Sequence, residues 1–262
     1  MKIITFLSDF GTKDSYVSQM KAVASTITNA RLMDITHEIT PHNIREGAYA
    51  LRCAAPYFPI GTVHVAVVDP GVGTNRRGIL ITTSKQILIG PDNGLLMPTA
   101  HFLGDYVIYE ISNQKYMLNS ISSTFHGRDI FTPVAANITN GIPFDEIGMR
   151  TNEYVNLDFG QGEFKENALV GKVINIDRFG NIITNLNKEL ILNSLSYNNK
   201  ILVCIGEKNL RIPFVKSYGY VKNREVLATI GSGDFLEIGI NQGNAVKKLS
   251  IKEEDKIEIL VG

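Results

Sequence analysis

The sequence predicts two domains of different class: an α/β N-terminal domain with a largely parallel central sheet (residues 1–158), and an all-β, barrel-like C-terminal domain (residues 168–262). Three observations carry this. The N-terminal part alternates short, continuous apolar runs with amphipathic stretches, the pattern of strands covered on both faces by helices. The stretch 159–167, Phe159-Gly160-Gln161-Gly162-Glu163-Phe164-Lys165-Glu166-Asn167, has little apolar content and reads as a linker. Beyond it, short strand candidates follow one another between turn residues.

The elements follow in order. Lys2 to Leu7 is short, β-branched and aromatic, a buried strand ending at the turn signal Ser8-Asp9-Phe10-Gly11. Ser15 to Thr28 carries a partly apolar helical face through Val17, Met20 and Val23. Leu32 to Ile35 reads as a strand, and Ile44 to Tyr57 as a helix closed by Pro56 and Pro59. Thr62 to Val68 is apolar apart from His64 and ends in Asp69-Pro70-Gly71-Val72-Gly73. Ile79 to Thr83 and Gln86 to Ile89 form a hairpin pair. In the C-terminal part the strand candidates are Ala168–Ile176, Asn181–Asn185, Lys200–Ile205, Val226–Ile230, Phe235–Ile240 and Lys256–Val261.

Bulk properties narrow the function. The 262 residues hold 26 basic and 26 acidic side chains, a balance that argues against a general nucleic-acid binder but not against a site for one nucleoside. Cys53 and Cys204 lie far apart with no zinc-ligand spacing, so buried thiols in a reducing compartment are expected and no metal site. The run Ile3 to Leu7 is too short for a signal-peptide core or a membrane span, and a cytoplasmic location is expected.

Three clusters hold the chemistry. Asp9, past the first strand, stands where α/β sheets collect ligands; it suits the vicinal hydroxyls of a ribose, or caps the helix near Ser15. In Asp69-Pro70-Gly71-Val72-Gly73-Thr74-Asn75-Arg76-Arg77 the glycines let backbone approach a ligand. That loop has neither the Gly-Lys-Ser/Thr of a Walker loop nor the third glycine of a dinucleotide fingerprint, and a plain strand-to-loop turn remains its other reading. Ser122-Ser123-Thr124-Phe125-His126-Gly127-Arg128-Asp129-Ile130-Phe131 sets a histidine among dense polar groups. His37, His42, His64 and His101 read as structural. Asp177-Arg178-Phe179-Gly180-Asn181 and Gly231 to Glu237 each put polar groups beside an aromatic, as a hairpin turn or a purine site would.

Together these segments resemble the S-adenosyl-L-methionine (SAM) hydroxide adenosyltransferases, relatives of the fluorinases and chlorinases. Ser8 to Gly11, Gly61 to Arg77, Pro91-Asp92-Asn93-Gly94, Ser122 to Phe131, Asp177 to Asn181 and Ser232 to Asn244 carry the likeness in order along nearly the whole chain. The resemblance implies hydrolysis of SAM to adenosine and L-methionine by attack of water at the adenosyl C5′. It also implies a homotrimer with sites shared between subunits. No cofactor, nucleic acid or membrane is implied. Asp9 would hold the ribose hydroxyls; Asp69, Arg76 and His126 would handle the water. Asp177 would meet the methionine amino group, Phe179 and Asn181 the adenine, and Ser232 the methionine carboxylate. Glu237 matches a position common in the hydrolytic branch. The halogenating branch lacks the acid at Asp69, carries Tyr at the His126 position and, in fluorinases, Ser at Gly127. The alternatives are halogenase-type substitution on SAM and nucleoside binding without turnover.

Overall fold

The computed structural model describes residues 2–261. The chain divides into two units, the first running to Asp158 and the second starting at Phe159.

In the first unit the order is β1 (Ile3–Ser8), α1 (Tyr16–Ile27), β2 (Arg31–Thr36), α2 (Ile44–Ala54), β3 (Val63–Val67), β4 (Gly78–Thr83), β5 (Ile87–Pro91), α3 (Met97–Leu103), β6 (Tyr106–Glu110), α4 (Thr132–Thr139) and β7 (Arg150–Thr151). The strands form one sheet in the order β2-β1-β3-β5-β4-β6-β7. The sheet is mixed, not largely parallel as the sequence suggested. Strands β2, β1, β3 and β5 pair in parallel, whereas β4, β6 and β7 pair antiparallel with their neighbours. The cause is connection length. Only residues 84–86 separate β4 from β5, enough for a hairpin but far short of the dozen or so residues a parallel crossover takes. Thr83 Oγ1 accepts the N–H groups of Lys85 and Gln86 and closes that turn.

Every residue of β1 and of β3 is buried, because helices cover both faces. Ile4 and Phe6 pack with Met20 and Ala24 of α1 and Val134 and Ala135 of α4. On the other face α2 presses so close that a Cβ at Gly47 would lie 2.9 Å from Leu95 and Val68. β1 therefore has parallel neighbours on either side, reached through helices on opposite faces. The gap beyond the carboxyl ends of β1 and β3 is the topological switch point where open α/β sheets bind ligands.

The second unit runs β8 (Glu163–Lys165), β9 (Ala168–Ile176), β10 (Ile182–Asn187), α5 (Lys188–Ser194), β11 (Lys200–Ile205), β12 (Lys208–Pro213), β13 (Val226–Ile230), β14 (Phe235–Ile240), α6 (Ala245–Leu249) and β15 (Lys256–Leu260). β8 lies within the stretch read from sequence as a linker. The sheet order is β12-β11-β15-β9-β10-β14-β13, with β8 added on β9. A bridge from Phe214, just past β12, to Ala228 of β13 links the two edge strands, so the sheet is nearly barrel-shaped. Alternation fills its interior: Ile201, Val203 and Ile205 of β11 are buried among Leu169, Leu236 and Ile257. The short helices α5 and α6 make the unit β-rich, not strictly all-β. Cys53 and Cys204 are unbridged and half-buried. Among the described residues no helix is long and apolar enough to cross a membrane.

Candidate active site

The loops after β1, β3 and β5 emerge from adjacent parallel strands, and they carry Asp9–Gly11, Asp69–Arg77 and Asp92–Gly94. Asn93 Nδ2 donates to Val68 O at 2.8 Å and ties the third loop to the end of β3. The Ser122–Phe131 segment arrives from elsewhere in the chain. Gly73, in the left-handed region at φ 76°, lets the second loop touch it: a Cβ there would stand 2.2 Å from Ser123 O.

His126 immediately precedes a π-helical turn over Gly127–Phe131, which runs directly into α4. Pro133 contributes to the departure from α-helical bonding, since it has no N–H to donate to Asp129 O. That carbonyl accepts Leu118 N–H instead, at 2.9 Å. Thr132 Oγ1 donates to Gly127 O at 2.7 Å. The fully buried Asp129 carboxylate accepts Ser122 N–H at 2.7 Å and Arg128 Nε–H at 2.6 Å. Arg128 and Asp129 thus brace the segment that presents His126.

The structure brings Asp69, Arg76 and His126 together. Arg76 donates Nε–H to Asp69 Oδ1 at 3.1 Å and Nη2–H to Asp69 Oδ2 at 2.6 Å, a two-bond fork. Nη2 also lies 3.0 Å from His126 Nδ1, and Nη1 donates to Arg77 O at 2.9 Å. The Phe131 ring lies under the guanidinium, 5.3 Å from Cζ to centroid. Only 4% of the Asp69 side chain and 8% of the Arg76 side chain is exposed, so the pair is screened from bulk water. Burial pushes the Asp69 carboxyl above its usual range, against the opposing pull of Arg76.

A guanidinium has only donors, so His126 Nδ1 is the acceptor and the ring proton sits on Nε2. The imidazole is therefore neutral. Burial, reinforced by the Arg76 charge, moves its pKa below 6.5. Catalysis that uses the neutral ring should persist as pH falls through 6.5 and be lost only below it. A profile of kcat/KM against pH checks this; an acid limb above 6.5 that vanishes in His126→Gln would contradict it.

Asp9 does not cap α1, whose N-cap is Ser15 with no side-chain bond. Its Oδ2 accepts His42 N–H at 2.9 Å instead. Arg77 turns away from the cluster, donating Nη2–H to Asp92 Oδ2 at 2.8 Å and to Glu153 O at 2.7 Å. His64 is structural. It bridges Thr5 Oγ1 and Gln86 Oε1, and burial lowers its pKa to about 4.

In the second unit, Asp177 shapes its own turn: Oδ1 accepts the N–H groups of Phe179 and Asn181, and Oδ2 accepts Asn181 Nδ2–H at 2.8 Å. Asn181 is 7% exposed, while the Phe179 ring is 73% exposed. Glu237 accepts a hydrogen bond from Tyr218 Oη, and burial and the Asp177 charge raise its carboxyl pKa. Ser232 is exposed on the turn before β14, where no hydrogen bond of its side chain links it to this cluster. Sequence reasoning missed Tyr218, which the fold brings to Glu237, 19 residues later in the chain. It also gave Phe131 no separate role, although Phe131 closes the motif that begins at Ser122.

Two family models match the chain: the SAM hydroxide adenosyltransferase N-terminal domain over residues 4–148, and its C-terminal domain over residues 171–258. The (R)-S-adenosyl-L-methionine hydrolase of Methanocaldococcus jannaschii is 42% identical, the match covering 99% of this chain and 96% of that protein. A fluorinase of Nocardia brasiliensis is more distant, at 25% identity with 99% and 97% covered. A crystal structure of an uncharacterized conserved protein from Thermotoga maritima superposes with a TM-score of 0.92 at 39% identity, covering 98% of this chain and 99% of that one.

Proposed function

The chain belongs to the SAM hydroxide adenosyltransferase family, and on that premise we propose how it acts as a SAM hydrolase, releasing adenosine and L-methionine. The observation that carries the reading is the Asp69–Arg76–His126 cluster at the switch point, with the Asp69 and Arg76 side chains nearly buried. The leaving group departs from a sulfonium as a neutral thioether, so nothing has to protonate it. The reaction needs an oxygen nucleophile held in line behind C5′ and a base for its proton. Asp69 is the base: burial raises its proton affinity. His126 Nε2–H donates to the water oxygen, leaving that oxygen's other lone pair for C5′. Arg76 is too basic to take a proton, and it fixes both partners.

Asp9 holds the ribose hydroxyls. Asp177 meets the methionine amino group, Phe179 and Asn181 the adenine, Ser232 the methionine carboxylate, and Glu237 supports this end of the substrate through Tyr218. The working form is a cytoplasmic homotrimer with sites shared between subunits, and SAM is a substrate with no cofactor required. A halide in the place of the water would meet the Asp69 carboxylate in a dry pocket, which favours water. Incubation with SAM followed by chromatography should give adenosine and methionine in equal amounts. Intact SAM, or a halogenated nucleoside in chloride or fluoride buffer, would overturn this reading.

A further inference from the structure

The loop that carries Asp9 is held by a chain of hydrogen bonds that the reaction scheme does not use. His37 is 4% exposed, and its Nδ1 lies 2.7 Å from the hydroxyl of the fully buried Ser8. Its Nε2 lies 2.9 Å from Asp34 Oδ1, and Lys21 Nζ donates to Asp34 Oδ2 at 2.5 Å. Phe10 N–H donates to Ser8 Oγ at 3.3 Å.

With a neutral His37 ring, one proton arrangement satisfies every partner. Asp34 accepts from Nε2–H, Nδ1 accepts from the Ser8 hydroxyl, and Ser8 Oγ accepts from Phe10. The bonds to Lys21 and His37 outweigh burial and hold the Asp34 carboxyl below its usual range, as an acceptor should be. A Ser–His–Asp chain of this kind invites a nucleophile reading. Ser8 has no exposed surface for a substrate to reach, so the chain acts on the backbone.

His37 grips both ends of the loop. Its side chain takes Ser8, and its carbonyl accepts Gly11 N–H at 2.7 Å. Between them stands Asp9, whose Oδ2 is fixed by His42 N–H from the same 37–42 segment.

We propose that Asp34, His37 and Ser8 are positioning residues that set the Asp9 carboxylate at the spacing of two vicinal ribose hydroxyls, and so confer selectivity for ribonucleosides. This rests on the proposed contact of Asp9 with the ribose. Without the chain the 37–42 segment loses its side-chain tie to Ser8, so His42 N–H no longer holds Asp9 Oδ2 in one place and hydroxyl-dependent affinity falls while the rest of the nucleoside still binds.

The test compares dissociation constants of the full-length protein for adenosine and for 2′,3′-dideoxyadenosine by calorimetry, in wild type, Ser8→Ala, His37→Ala and Asp34→Asn, with melting curves as the check on folding. Wild type should prefer adenosine by about ten- to a hundredfold, the size expected of hydrogen bonds to a charged group. In the variants the preference should fall toward unity with dideoxyadenosine affinity unchanged. A merely structural chain would weaken both ligands alike, and that result, or failure of all three variants to fold, overturns the proposal. So does an unchanged preference in folded variants, which leaves the Asp9 contact standing. No preference in wild type overturns the Asp9 contact together with the proposal.

Discussion

Arg76→Lys is expected to slow SAM hydrolysis by about 10²–10³-fold, while Arg77→Lys leaves it close to the wild-type rate. The difference follows from the donors each arginine uses. Arg76 spends Nε and Nη2 on Asp69, the second Nη2 proton on His126, and Nη1 on Arg77 O. A lysine ammonium supplies one point of charge and cannot reach the carboxylate as a fork and the imidazole together. In the variant the buried carboxylate loses a bond and His126 Nδ1 loses the donor that fixes its tautomer. Arg77 is 30% exposed and pairs with Asp92, a contact an ammonium can keep. Asp69→Ala and His126→Ala should each cost about 10²–10⁴-fold, as expected for groups that handle a proton. Steady-state rates with melting curves check all four. Severe loss in Arg77→Lys with little in Arg76→Lys would move the site to the other arginine.

The second large effect concerns assembly. Asp9→Ala and Asn181→Ala are each expected to be nearly inactive alone, because each removes contacts at one end of the substrate and remote contacts align the reacting carbon. Mixed, dissociated and reassembled, the two should recover part of the wild-type activity. Asp9 lies in the first unit and Asn181 in the second. If one subunit's first unit works with another's second unit, some mixed oligomers contain a fully intact site. No recovery despite verified subunit exchange would place the whole site within one chain.

Much of the candidate site was legible from sequence because its proposed residues cluster in short segments. The apolar runs of β1 and β3 ended within one residue of the expected positions, and Asp9 and Asp69 lie one and two residues past the strands. The sheet's mixed pairing was harder to read: the β4–β5 hairpin was visible, but the antiparallel placement of β6 and β7 depends on pairings remote in sequence. α3 and α4 are 7 and 8 residues long, each with proline in its first turn, and leave a weak periodic signal. The tautomer of His126 rests on a guanidinium 50 residues earlier in the chain. His37 read as structural without a named partner, and only the fold brings it to Ser8, 29 residues away.

The most direct test of the central claim, attack of water on C5′ of SAM, is turnover in ¹⁸O-labelled water with mass analysis of both products. Adenosine carrying one ¹⁸O at its 5′ oxygen, beside unlabelled methionine, is the predicted result; unlabelled adenosine, or label in the methionine, would contradict it.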